Sequence, residues 1–215
     1  MTGLISTAIP NRPDVTIKLA STSDELMQCF MLRAAVYIGE QHCPYWEEFD
    51  GNDYSASHII LHVNGEPAAS MRLRWFSGFV KFERAVFLKR YRTMGLFLPL
   101  LSWAKELARK KGYSKVVLHS QHRLWKLMER GGYRKLDNTV FHFSDHEYAT
   151  FVCDLEVDET SRPTVRTNPM VLNRPEDQLD RPGVLERSME RAPTNPHAER
   201  TRHREEVATA RSRAH

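Results

Sequence analysis

The chain has 215 residues, 41% hydrophobic and 27% charged, with a formal net charge of +4 at pH 7, the balance of a soluble globular domain plus an appendage. No run of about 18 apolar residues occurs, which excludes a transmembrane helix. Three scattered cysteines (Cys29, Cys43, Cys153) with no CxxC pair exclude a disulfide framework and argue against zinc.

Residues 1–14 read as a lead-in, with Pro10 and Pro13. Met1 to Pro10 lacks the basic start and apolar stretch of a secretory signal, so a reducing cytoplasm is expected. Val15 to Leu19 alternates apolar with polar and predicts a strand. Ser23 to Tyr37 carries apolar residues at helical spacing, with Ser21, Thr22 and Ser23 as candidate N-caps. A polar, aromatic stretch follows, from Gln41 to Gly51. His58 to Val63 predicts a strand, and Asn64-Gly65 is a strong hairpin signal. Glu66 to Trp75 and Phe79 to Leu88 complete an antiparallel meander.

A basic turn, Lys89 to Gly95, leads into a predicted helix from about Leu96 to Lys111, stopped by Gly112. Pro99 is tolerated because it falls in the first turn, where backbone donors have no helical partner. Val116 to His119 predicts a short buried strand, Arg123 to Arg130 a helix closed by Gly131-Gly132, and Arg134 to Phe143 and Glu147 to Leu155 two last strands. The order is α+β, or mixed α/β, without strict alternation. Residues 15–155 form the expected domain. Residues 156–215 hold 11 Arg against 11 acidic residues, six of the eleven prolines, and no Lys, Phe, Tyr or Trp. Without aromatic residues to bury, this tail is expected to be disordered, with at most a marginal charged helix over Glu199 to Arg213. The surplus of four positive charges is only weak evidence for a nucleic-acid partner, which is not expected, and suits an anionic small molecule equally well.

The turn before the Leu96 helix is the first candidate site. A helix N-terminus presents unpaired N–H groups and partial positive charge, a ready anion site. Gly95 lets the backbone approach a ligand, and Arg90 and Arg92 add charge.

The run Glu83-Arg84-Ala85-Val86-Phe87-Leu88-Lys89-Arg90-Tyr91-Arg92-Thr93-Met94-Gly95-Leu96 resembles motif A of the GNAT acyltransferase superfamily. Leu118-His119-Ser120-Gln121, with Leu127 to Tyr133, resembles its motif B. Glu40-Gln41-His42-Cys43-Pro44-Tyr45, with Glu48, Asp50, Gly51 and Asp53, is similar to a block of the ElaA-like branch. The resemblance implies a GNAT-like fold, a mostly antiparallel twisted sheet of about seven strands flanked by helices. It implies acetyl-CoA or another acyl-CoA as co-substrate, bound where two central strands splay apart, and no metal. It carries the backbone of Val86 and Phe87 to the pantetheine arm, that of Arg92, Thr93, Met94, Gly95 and Leu96 to the pyrophosphate, and Gln121 to the donor site.

The implied activity is N-acyl transfer to a primary amine of a small-molecule or peptide acceptor, with no membrane partner and with a homodimer left open. Glu83 is the first candidate base, placed by strand alternation on one face with Lys81, Ala85 and Phe87; its structural reading is a surface ion pair. His119 is the second candidate, as base or acid. The family's glycines stand here as Thr93 and Phe97 around Gly95, and its leaving-group tyrosine as Met128, a thioether that cannot donate a proton. These departures raise two alternatives: an acyl-carrier-protein-dependent N-acyl amino acid or acyl-homoserine-lactone synthase, and a non-catalytic GNAT-fold binding or sensing protein. Trp75, Phe76, Phe79 and Phe82 read as core and substrate wall, Cys43 as packing, and His142-Asp145-His146 as a polar turn rather than a metal site.

Overall fold

Residues 13–143, 146–158 and 162–190 are described by the computed structural model. Contacts divide the chain into residues up to Pro163 and residues from Thr164 onward. The first unit holds β1 (Val15–Leu19), α1 (Ser23–Arg33), α2 (Tyr45–Glu48), β2 (Ser57–Val63), β3 (Glu66–Phe76), β4 (Phe79–Phe87), α3 (Phe97–Lys110), β5 (Lys115–Gln121), α4 (Trp125–Arg130), β6 (Arg134–Phe143) and β7 (His146–Asp154). The strands form one sheet in the order β1-β2-β3-β4-β5-β7-β6. Every neighbouring pair is antiparallel except β4 with β5. This is the mixed, seven-stranded arrangement that the sequence implied. Among the described residues no helix is long and apolar enough to cross a membrane.

Local chemistry sets the helix ends. Thr22 caps α1, its hydroxyl accepting from the Glu25 amide at 3.2 Å. The helix does not run on unchanged to Tyr37. After Arg33 it widens into a π-helical stretch, Ala34–Glu40, closed by the Gln41 amide donating five residues back to the Val36 carbonyl. The α2 turn lies in the stretch that carried no helical pattern. On α3, Leu100, Leu101, Ala104, Leu107 and Ala108 make one apolar stripe. It joins Ile59, Leu61, Met71, Leu73, Val80, Phe82, Val116, Leu118 and Phe151 in the main core. Leu32 and Val36 pack on Val86 from the opposite face of the sheet.

Beside that smaller cluster the protein buries charge. Arg33 and Arg72 are fully buried. Arg33 donates to the Glu48 and Asp53 carboxylates and, at 3.1 Å, to the Glu48 carbonyl. Arg72 pairs with Asp50 at 2.7 Å, Asp53 at 2.9 Å and Glu83 at 2.7 Å. Arg84 reaches Glu48 and Asp50, and Lys81 reaches Glu83 at 2.7 Å. The rings of Phe30 and Phe49 flank the Arg33 guanidinium. His58 sits on the Asp53 carbonyl at 3.0 Å. Three of the four carboxylates come from the segment Glu48 to Asp53, so this cluster pins that loop to α1, β3 and β4.

The second unit is built of local polar contacts. In α5 (Pro169–Leu172) Asn168 accepts from the Met170 amide at 2.9 Å. Before α6 (Val184–Arg187) Arg174 holds the Glu186 carboxylate at 2.7 Å. The segment Glu199 to Arg213 lies outside the described residues.

Removing one partner of a buried ion cluster strands the others in low dielectric. Arg33→Met is therefore expected to cost about 3–5 kcal/mol in urea unfolding at neutral pH. The acid limb follows from the carboxyl shifts. Burial pushes Asp53 and Glu83 up, but hydrogen bonds from Arg33 and Arg72 to Asp53, and from Lys81 to Glu83, outweigh it and hold both below their ordinary values of 3.8 and 4.5. Asp50 is lowered in the same way, while Glu48 is raised by burial. Lowered carboxyls stabilise above their unfolded pKa and lose that contribution on protonation. Stability is expected to fall as pH drops below about 4.5, read from urea midpoints in acid.

Candidate active site

Strands β4 and β5 share three residue pairs, Val80 with Val116, Lys81 with Val117 and Phe82 with Leu118. Beyond these the strands part. The opening holds a cleft of about 160 Å³ lined by Glu83 and Ala85 from β4, His119 and Gln121 from β5, Tyr148 from β7 and Met128 from α4. The sequence thus places three of its candidates, Glu83, His119 and Gln121, in one cleft.

One face assignment is corrected. Between the pairs Arg72–Glu83 and Ser70–Val86, β3 advances two residues and β4 three. The extra residue is a β-bulge, with Arg84 at φ +53°. It reverses the alternation. Glu83 keeps company with Lys81 and Arg72, Val86 packs on Leu32 and Val36, and Ala85 and Phe87 turn to the main core. Alternation carried across the bulge had wrongly grouped Lys81, Glu83, Ala85 and Phe87. Glu83 is no surface ion pair either: its side chain is 10% exposed and both oxygens are engaged by Arg72 and Lys81.

His119 stands exposed on β5, edge to face with Phe141 at 4.9 Å. Partial desolvation, then repulsion from Lys81, lowers its pKa below 6.5, which favours the neutral imidazole at pH 7. Gln121 donates through Nε2 to the Tyr148 hydroxyl at 2.9 Å and accepts from Arg123 Nε at 2.8 Å. Its side chain is thus committed within the protein. The Tyr37 hydroxyl donates to the Ala85 carbonyl at 3.2 Å, and burial raises its pKa well above the usual tyrosine value. Met128 is buried against the cleft, and Tyr133 is buried in the core. Tyr37, Arg123 and Tyr148 escaped the sequence reading, because only the β5–β7 pairing and the π-helical stretch bring them here.

The basic turn runs beside this cleft. The Arg92 amide bonds to the Lys89 carbonyl and the Met94 amide to the Tyr91 carbonyl, so these two donors are spent. The Arg92 side chain reaches the Phe87 carbonyl at 2.9 Å and Glu40 at 2.6 Å. No side chain caps α3, and among the described residues the amides of Gly95, Leu96, Phe97 and Leu98 have no hydrogen-bond partner. Gly95 has φ +69°, and a Cβ there would meet nothing within 4 Å. Thr93 is exposed, and the Phe97 ring turns onto Phe87 at 6.2 Å. The two side chains that replace family glycines therefore leave the space beside Gly95 open.

Of the aromatic residues read as a wall, only Phe82 lines the cleft. Trp75 packs on Tyr113 and Phe76 stacks on Phe79, away from it. Cys43 sits half-buried, its thiol toward the Pro44 carbonyl. Among the described residues no group of three metal-ligating side chains occurs; Asp145 lies outside them.

No family model matches the chain. A Bacillus subtilis protein named as an acetyltransferase is 30% identical over 123 residues, which span 56% of this chain and 84% of that protein. An acyl-CoA N-acyltransferase structure from Pseudomonas aeruginosa, 27% identical, superposes with a TM-score of 0.59 over 66% of this chain and 99% of its own. Escherichia coli ElaA, 21% identical, superposes at 0.58 over 66% and 99%, and FeeM, an N-acyl amino acid synthase from uncultured soil microbes, at 8% identity and 0.57 over 66% and 92%, the last two as likenesses of fold. With its central strands parted beside an uncapped helix and a relative of this closeness, the chain belongs to the GNAT superfamily of N-acetyltransferases.

Proposed function

We propose that the protein moves an acetyl group from acetyl-CoA to a primary amine, carried by a small molecule or a peptide, in the gap between β4 and β5. The observation that carries this reading is the end of β4–β5 pairing at Phe82 and Leu118, beside the unpartnered amides of Gly95 to Leu98. Those amides and the positive end of α3 suit a diphosphate. The backbone of Val86 and Phe87, where β5 no longer pairs with β4, suits an extended pantetheine arm. The cleft volume of about 160 Å³ is small beside the roughly 300–1,000 Å³ of common ligand pockets, which favours a short acyl group over a long chain.

The amine must lose a proton as it attacks the thioester carbonyl, and the carbonyl oxygen gains charge. His119, neutral and exposed, is the better acceptor for that proton. Glu83 is the poorer base, with lowered proton affinity and both oxygens held. Held by Lys81 and Arg72, it is a fixed part of the cleft wall. Beyond Phe82 the edge of β4 that faces the gap no longer pairs with β5, and its backbone N–H groups are the donors for the developing oxyanion.

Two measurements test the reading. Gly95→Trp places a large side chain over the free amides, and the variant is expected to lose at least about tenfold in acetyl-CoA affinity by calorimetry, with an unchanged circular dichroism spectrum. Unaltered affinity counts against the turn, and turnover with acyl carrier protein but none with acetyl-CoA replaces the donor. His119→Asn is expected to lower kcat about 100-fold over a panel of primary amines while acetyl-CoA affinity holds. In the wild type kcat/KM should rise with pH through a limb whose midpoint lies below the ordinary histidine value of 6.5. That limb should vanish in the variant.

A further inference from the structure

The family's leaving-group tyrosine is Met128 here, so the departing thiolate needs another source of protons. The hydrogen-bond polarity around Gln121 identifies one. A guanidinium only donates, so the Gln121 oxygen must face Arg123, 2.8 Å away. The Gln121 amide nitrogen must then face Tyr148, 2.9 Å away, as donor. The Tyr148 oxygen is thereby an acceptor, and its single proton is left for a third group. The ring is held in place: Phe141 stacks on it at 5.9 Å and 17°, and Phe143 meets it edge-on at 5.3 Å. Tyr148 lines the cleft as the cross-strand partner of Gln121, on the β5 side of the gap. The other hydroxyls fit less well. Tyr37 spends its proton on Ala85, Tyr133 lies in the core outside the cleft, and Ser120 leans on the Gln121 carbonyl at 3.4 Å.

We propose that Tyr148 is the proton donor to the leaving sulfur, oriented by an Arg123–Gln121 relay. This rests on the transferase reading above. In the step, the amine nitrogen bonds to the acyl carbon and the C–S bond breaks. The bonding pair passes to sulfur, and the Tyr148 proton moves onto it to give the free thiol. The amine's proton goes to His119 and then to water, and water returns a proton to the phenolate. The charged and titratable groups around the gap are Lys81 and Glu83 on β4, His119 on β5, Arg123 after it, and Tyr37.

The test needs no acceptor. Acetyl-CoA is first titrated calorimetrically into the wild type and Tyr148→Phe; failure of the wild type to bind overturns the transferase reading itself. CoA is then bound to each protein, and ionisation of its thiol is followed across pH by thiolate ultraviolet absorbance. A donor aimed at the thiolate stabilises it, so the thiol in Tyr148→Phe is expected to ionise about one to two pH units higher than in the wild type. Gln121→Leu, which releases the orienting bond while keeping the phenol, is expected to shift it partway in the same direction. CoA binding with the same ionisation in the wild type and Tyr148→Phe overturns the proposal. A shift in His119→Asn with none in Tyr148→Phe assigns the proton to His119 and overturns it as well.

Discussion

Parallel pairing between β4 and β5 that ends after three residue pairs is the constraint on which the rest depends. A sheet that stayed closed there would satisfy its backbone groups and bury its side chains, and would have no room for a ligand. Opened, it exposes two strand edges toward each other. It also leaves Glu83 on one wall and His119 on the other. An opening of this kind in the middle of a sheet must be held from outside, since every strand edge gains by pairing. The bulge at Arg84 interrupts the β3–β4 ladder just past the last residue of β4 that pairs with β5. The antiparallel register of β5 with β7, seven pairs long, holds β5 from its other side.

Much of this was legible in the residue pattern. Strand β1 was read at its observed limits, and the meander, α3 and the last two strands were found within a few residues, because alternation, Asn64-Gly65 and the α3 stripe are local signals. What escaped was non-local. Nothing in the neighbourhood of Tyr148 says that β7 lies between β5 and β6, yet that order makes it a wall of the cleft. The bulge escaped because a non-glycine residue at φ +53° leaves no mark in composition. Being missed, it turned correct alternation before Arg84 into a wrong face assignment after it. The basic turn was readable as a helix start with spare backbone donors, but which of its amides were free depended on the tight turn over Lys89 to Met94, and hydrogen bonds within that turn consume two of them.

Arg33 and Arg72 were the least legible of all. In the sequence they are two arginines in an amphipathic helix and a strand, and a solvated face is the ordinary expectation. Their burial follows from the carboxylates of Glu48, Asp50 and Asp53, which arrive from a loop with no regular pattern. The motif resemblance marked those acids without showing what they do. Their partners show it: they are neutralised in place by fully buried guanidiniums, and their chemistry is structural.

A buried ion cluster costs desolvation that a well-packed apolar core does not, so its presence beside the cleft calls for a reason other than stability. Geometry supplies one. Apolar packing tolerates sliding, whereas a guanidinium shared among Asp50, Asp53 and Glu83 fixes angles as well as distances. Arg72 sits on β3 at the register position of Glu83, one residue before the bulge. Arg84, at the bulge, pairs with the same loop. Both sides of the bulge are thus held to a loop that is itself anchored on α1. The charge cluster thereby fixes the orientation of Glu83, the carboxylate on the β4 wall of the cleft.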